Sequence, residues 1–197
     1  MPSASARALL ARIKTLEVEN RRLRAQAGRD PLTGLHTRRY MKEVAGRMLA
    51  LHDRDPTHPV ALIVCDIDRF KAINDSYGHT AGDTVLKRIG ALIRRGIRRS
   101  DLAVRMGGEE FAIFVSGPSA PGCAVLAERL RQAASQIRLP GRARGHDITL
   151  SFGIAFHRPG ESLERMLARA DRLLYRAKRG GRDRIETEAI ARPVRRR

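Results

Sequence analysis

The sequence predicts an α+β fold, with helices packed against one antiparallel-centred sheet, and three observations carry that expectation. Strand-like and helix-like patterns follow one another in the order strand, helix, two strands, helix, strand, helix, strand, which suits a layered α+β domain. Gly107 and Gly108 separate two strand-like runs and so read as a tight hairpin, because glycine supplies positive φ and lets a ligand approach the backbone. The chain has 197 residues, room for one well-packed domain and a short appendage but not for two full domains.

The elements can be justified in order. Between Ser5 and Ala27 a heptad pattern places Leu9, Leu16 and Leu23 at d, with Ala6, Ile13, Asn20 and Ala27 at a. Leucine at d with one asparagine at a resembles a parallel two-stranded coiled coil, and Arg12–Glu17 and Glu19–Arg24 supply the flanking charge pairs. The competing reading is a single amphipathic helix packed on its own domain. Residues 1–29 are assigned to this helix, 30–187 to the globular domain, and 188–197 to a basic tail expected to be disordered. Within the domain, 38–52 is a helix with Met41, Val44, Ala45, Met48 and Leu49 inward. A turn-rich loop at 53–59 leads into the strand 60–66, followed by a loop at 74–80. The helix 81–98 turns Val85, Leu86, Ile89, Leu92 and Ile93 inward. The hairpin strands at 102–106 and 111–115 come next, then a breaker cluster at 116–122 and a helix at 124–137. A strand at 147–156, a helix at 163–179 and a short strand near 184–186 complete the domain.

Composition narrows the functional classes. Hydrophobic content of 42% suits an ordinary globular core, and the longest apolar runs fall far short of a membrane span. The N-terminus lacks the continuous apolar segment of a secretory signal. Two cysteines, Cys65 and Cys123, make neither a disulfide framework nor a zinc site, and a cytoplasmic location is expected. The net charge of +18 suggests polyanionic ligands. Nucleic acid is not expected as a partner: aromatic residues are only 4%, leaving little stacking surface, and no nucleic-acid-binding motif is present.

The acidic residues point to chemistry. Glu109 and Glu110 sit on the exposed hairpin tip, while Asp66 and Asp68 end the 60–66 strand. Two strand ends that each deliver carboxylates make a hard-cation site, and oxygen-ligated magnesium normally brings a nucleotide phosphate with it. Lys71 follows the turn after Asp68, where free backbone N–H groups can form a phosphate-binding nest.

Taken together, Asp30-Pro-Leu-Thr-Gly-Leu35 with Arg38-Arg39, Asp66-Ile-Asp68 with Phe70-Lys71, Asn74-Asp75, Gly78-His79 and Gly82-Asp83 resemble the GGDEF family of diguanylate cyclases. Gly107-Gly-Glu-Glu-Phe111, Ser151-Phe-Gly153, and Tyr175-Arg-Ala-Lys178 with Gly181-Arg182 extend the resemblance, in the family's order and spacing. It covers roughly residues 30–184 and implies a ferredoxin-like, palm-like core shared with nucleotidyl cyclases. It further implies condensation of two GTP into cyclic di-GMP with release of two pyrophosphates, using two Mg²⁺ (or Mn²⁺) per active site when GTP is bound. Asp66, the Ile67 carbonyl and Glu109 would hold metal, with Glu110 a further candidate. Glu109 also falls where the family's proposed general base lies, so it can act as ligand, base or both. Lys71 would stabilise charge on the transferring phosphate, Lys178 and Arg182 would bind the triphosphate, and Phe70 lies on the substrate side. Asn74 and Asp83 match the guanine-reading positions, with His79 at a substrate-contact position. A loop-stapling role for His79 and a helix N-terminal role for Asp83 stand beside those readings.

Arg98 and Asp101, six residues ahead of the Gly-Gly turn, resemble the family's RxxD inhibitory site for cyclic di-GMP, with Arg129 as a second guanidinium. A simple ion pair is the alternative. Thr37 and Asp183 depart from the asparagines usual in the family, and both read as cap or turn positions. Because two half-sites must meet, the resemblance implies a homodimer, for which the helix from Ser5 to Ala27 is the expected device. A silent cyclic di-GMP receptor and a cyclase with relaxed base choice are the rival readings.

Overall fold

A computed structural model describes residues 12–13, 28–55, 59–117, 120–139, 141 and 147–188. The heptad segment lies outside the described residues except Arg12 and Ile13, which are helical and exposed, and the tail 189–197 lies outside them too. In chain order the elements are β1 (His36–Thr37), α1 (Arg38–Arg54), β2 (Val60–Ile67), α2 (Phe70–Tyr77), α3 (His79–Gly96), β3 (Leu102–Gly107), β4 (Glu110–Ser116), α4 (Ala120–Ser135), β5 (Leu150–Phe156), α5 (Leu163–Arg179) and β6 (Ile185–Thr187). The strands form one sheet in the order β1-β3-β4-β2-β5-β6. Its central pairs are antiparallel and its two edge pairs, β1–β3 and β5–β6, are parallel.

The side-chain alternation of β2 explains the architecture. Ala61, Ile63, Cys65 and Ile67 face a core built with α2, α3 and α4, including Ile73, Ile89, Ile93 and Leu130. Val60, Leu62 and Val64 face the opposite core, where Met41, Ala45 and Leu49 of α1 meet Met166, Ala170 and Leu174 of α5. Every residue of β2 is buried, so its uninterrupted apolar run reflects helices on both faces of the sheet.

Two sequence expectations are corrected. Residues 74–77, expected as loop, belong to the helix α2, and α3 begins at His79, not 81. Asn74-Asp-Ser-Tyr is too short and polar to show helical periodicity, yet Ile73 packs into the core and Gly82 brings α3 close: a Cβ there would lie 2.0 Å from Asn74 Oδ1. The helix expected at 124–137 instead runs Ala120–Ser135, starting within what reads as a breaker cluster. Thr37 is confirmed as a helix cap: its hydroxyl accepts from the Tyr40 N–H at 3.3 Å.

Candidate active site

The site lies where β2 ends beside the turn between β3 and β4. Gly107 and Gly108 have φ of +152° and +50°, conformations a side chain resists, and they fold the chain back so that Glu110 pairs with Asp66 across the sheet. The Ile67 N–H donates to the Glu109 carbonyl at 3.3 Å, fixing the turn against the strand end. Asp66 is buried, Glu109 is half-buried and Glu110 is exposed. From α5, Lys178 reaches the same point and its Nζ lies 2.8 Å from Asp66 Oδ2. Burial pushes the Asp66 carboxyl up to about 6; the Lys178 ammonium works against that rise, and the charges of Glu109 and Glu110 add to it.

That balance predicts a stability effect. A carboxyl whose pKa is raised by folding stabilises the fold at pH below its ordinary 3.8 and loses that contribution as pH rises through about 6. Asp66→Asn, with Lys178 free to turn to water, is therefore expected to stabilise the metal-free protein at pH 7 by about 1–2 kcal/mol. The gain should vanish near pH 4, and denaturant melts at the two pH values check it. A variant less stable than wild type at pH 7 would contradict this reading.

Asp68 has a different job from its neighbour. Its carboxylate accepts from Ser151 Oγ at 2.7 Å, Thr149 Oγ1 at 2.9 Å and the Asp183 N–H at 3.0 Å. It thereby holds Asp183, whose backbone is left-handed (φ 45°) like that of its neighbour Arg182 (φ 66°) and of Arg69 (φ 54°) next to Asp68, a conformation kept only if surrounding bonds enforce it. Asp183 sits in such a turn, consistent with its reading as a turn position, and Arg131 Nη1 pairs with it at 2.8 Å. Sequence reasoning placed Asp68 with the cation-binding group; three donors take its oxygens instead.

A second positioning contact was missed from sequence. The Arg105 guanidinium donates from Nη2 and Nε to the Gly108 carbonyl at 2.8 and 3.0 Å, and from Nη1 to Asp30 Oδ2 at 3.1 Å. Asp30 in turn accepts from the Thr33 hydroxyl at 2.6 Å and the Thr33 N–H at 2.8 Å. Burial favours protonation of Asp30, but Thr33 and Arg105 outweigh it and hold the carboxyl below its ordinary value. The turn bearing Glu109 is thus clamped to the Asp30–Leu35 segment. Arg105, two residues before Gly107, was the available signal.

The remaining expected residues lie on α2, on α3 and in the turn after α5. Phe70 opens α2 and is buried, Asn74 is half-buried on the same helix, and His79 and Asp83 are exposed on α3. No acidic residue lies in the first turn of α3, so Asp83 gains little from the helix dipole. The Lys71 ammonium is exposed and meets Asp75 Oδ2 at 2.8 Å, one helical turn on. Arg182 is exposed after α5.

A diguanylate cyclase GGDEF-domain model matches residues 27–184. The chain belongs to the GGDEF diguanylate cyclase family. It is 39% identical over 191 residues to the diguanylate cyclase DgcP of Pseudomonas aeruginosa, covering 93% of this chain and 28% of DgcP. It is 37% identical over 165 residues to the diguanylate cyclase DosC of Escherichia coli, covering 83% of this chain and 35% of DosC. The chain thus spans about a third of the length of these two curated relatives. Among solved structures, it resembles the coiled coil and GGDEF domain of DgcB from Caulobacter crescentus in complex with c-di-GMP. That match has a TM-score of 0.85 and 33% identity, and covers 94% of this chain and 98% of that one. It also resembles the diguanylate cyclase SiaD in complex with its activator SiaC from Pseudomonas aeruginosa, with a TM-score of 0.81 and 32% identity, over 93% and 70% of the two chains.

Away from the strand ends, the GGDEF domain places Arg98, Asp101 and Arg129 around one groove of about 600 Å³. Asp101 makes no side-chain ion pair among the described residues; its carboxylate accepts from the Arg98 N–H at 2.9 Å and the Ser116 N–H at 3.4 Å. Arg129 donates to the Gly96 carbonyl. No helix among the described residues of this GGDEF domain is long and apolar enough to cross a membrane.

Proposed function

We propose that this protein is a cytoplasmic diguanylate cyclase that condenses two GTP into cyclic di-GMP and two pyrophosphates. The observation that carries this reading is the buried Asp66 carboxylate, neutralised by an ammonium 2.8 Å away and set against the turn that presents Glu109. Among the described residues no group of three or more His, Cys, Asp or Glu forms a self-sufficient metal cage. The donors at hand, Asp66, Glu109 and the Ile67 carbonyl with Glu110 beyond, are all oxygen. One or two carboxylates completed by substrate phosphates is the set magnesium accepts, so the residues fit the two divalent ions the family implies. When bound, those ions supply charge neutralisation for the triphosphate and acidify the attacking hydroxyl.

The chain's own residues do the rest. Each 3′-hydroxyl oxygen attacks the α-phosphorus of the other GTP, the bond to the bridging oxygen breaks, and pyrophosphate leaves. Glu109 is assigned the proton of that hydroxyl alongside its share of the metal. Lys178 moves from Asp66 to the triphosphate when the site fills, joined by Arg182, while Lys71 meets the charge on the transferring group. Asn74 and Asp83 read guanine, and Gly82 leaves Asn74 its space. Two such sites must face each other, so the active form is a homodimer joined through the Ser5–Ala27 heptad segment. The coiled coil in the DgcB structure supports that part of the reading.

Incubating the protein with GTP and Mg²⁺ and separating the products by chromatography tests the proposal. A product comigrating with cyclic di-GMP supports it, and none from nucleotide-free, dimeric protein overturns it. We further assign the Arg98–Asp101–Arg129 groove to product inhibition. Losing one charge-assisted contact costs about 1.5–3 kcal/mol, so Arg98→Ala should raise the inhibitory concentration of cyclic di-GMP roughly 10- to 100-fold. Initial rates measured without product should stay the same; unchanged inhibition would remove the assignment.

A further inference from the structure

Between the Arg29–His36 turn and the C-terminal end of α3 lies a second cleft, of about 290 Å³, lined by Arg29, His36, Arg94, Arg98, Arg99 and Asp101. It shares Ile97, Arg98 and Asp101 with the larger groove and lacks Arg129. Two of its guanidiniums converge on one residue. Arg29 Nη1 donates to the Gly34 carbonyl at 2.7 Å, and Arg94 Nη1 lies 2.9 Å from where a Cβ on Gly34 would stand. Among the described residues no carboxylate pairs with the side chains of Arg29, Arg94, Arg98 or Arg99. Asp101 is the one acid on the lining, and its oxygens are taken by the N–H groups of Arg98 and Ser116. Burial and the Arg29 charge also hold the His36 imidazole below its ordinary range. Like charges crowded around one cavity raise one another's energy, and a polyvalent anion relieves all of them at once. Arginine forks suit phosphate oxygens because they donate in bidentate pairs. The volume sits at the lower end of ligand cavities, fitting a short phosphate chain and not a cyclic dinucleotide.

We propose that this cleft binds a compact polyphosphate anion, a di- or triphosphate group held by Arg29, Arg94 and Arg99, either free or carried on a nucleotide. The site is separate from the nucleotide site at Asp66, and the test keeps the two apart. Inorganic pyrophosphate is titrated into the full chain in EDTA by calorimetry, with the His36 ring followed by NMR. Wild type and Lys178→Ala should bind alike, and pyrophosphate should shift the His36 resonances. Arg29→Ala with Arg94→Ala should weaken binding at least tenfold; both residues are exposed, and Arg99→Glu gives a second variant should that pair misfold. Equal affinity for GDP assigns the group to a nucleotide, and binding of pyrophosphate alone assigns it to the free anion. An unmoved His36, unchanged affinity in the arginine variants, or binding lost in Lys178→Ala would each overturn the proposal.

Discussion

Glu109→Gln is expected to lower cyclic di-GMP formation on the order of 10³-fold or more while leaving the fold intact. The backbone of Glu109 does the structural work: its carbonyl accepts from the Ile67 N–H, and the preceding glycines set the turn. Its side chain is half-buried, and the site clamp runs through the Gly108 carbonyl, Arg105 and Asp30, none of which touches the Glu109 carboxylate. Removing the charge takes away both a metal oxygen and the proton acceptor, and general-base loss alone costs about 10²–10⁴ in rate. Stability should change by no more than about 0.5 kcal/mol. Removing this negative charge also removes one influence that raises the Asp66 pKa, so the variant's Asp66 should titrate lower than in wild type. Initial rates by chromatography, with a melt of the same sample, check both halves. A variant that keeps more than a tenth of the activity would leave the catalysis to Glu110.

Gly153→Ala is expected to be among the most damaging single-methyl changes in the domain. A Cβ at Gly153 would lie 2.2 Å from the Ala170 carbonyl oxygen and 2.4 Å from the Leu174 nitrogen, both backbone atoms of α5. No rotamer change relieves a clash with backbone, so β5 must part from α5. Gly153 is paired on one side with Val64 of β2 and on the other with Glu186 of β6, which blocks retreat within the sheet. Overpacking of this kind costs about 3 kcal/mol or somewhat more, a fall in Tm of roughly 6–12 °C for a chain of this size. Moving α5 would also draw Lys178 off Asp66, so activity should fall more than stability alone explains. Gly46→Ala is the control: it lies within α1, has nothing within 4 Å of its would-be Cβ, and should stabilise by about 1 kcal/mol. Calorimetric melts of the two variants should move in opposite directions. Equal Tm values would show that α5 adapts more freely than its contact implies.

How far the sequence could be read depended on whether a feature was written in consecutive residues. The β2 run of apolar residues, the glycine turn and the periodic faces of α1, α3 and α5 are local patterns, and each element appeared within a few residues of its expected bounds. α2 was missed because eight residues give too few turns for periodicity to show, and only packing of Phe70 and Ile73 makes it a helix. Asp66 and Asp68 look equivalent in sequence. In the fold, Asp66 lies within β2 beside Lys178, whereas β2 ends at Ile67 and Asp68 falls in the turn that follows, where Ser151 and Thr149 bind it.

By itself, then, the sequence determined the order of the elements other than β1 and α2, the turn that presents Glu109, the acidic strand end at Asp66 and the family. It did so because these rest on residue type and short spacing. Only the tertiary structure decided the parallel edges of the sheet, the Lys178–Asp66 pair, the Asp30–Arg105–Gly108 clamp and the convergence of Arg29 and Arg94 on Gly34. Those contacts join residues distant in the chain, and a charge carries no mark of its partner until packing of both core layers brings the two together.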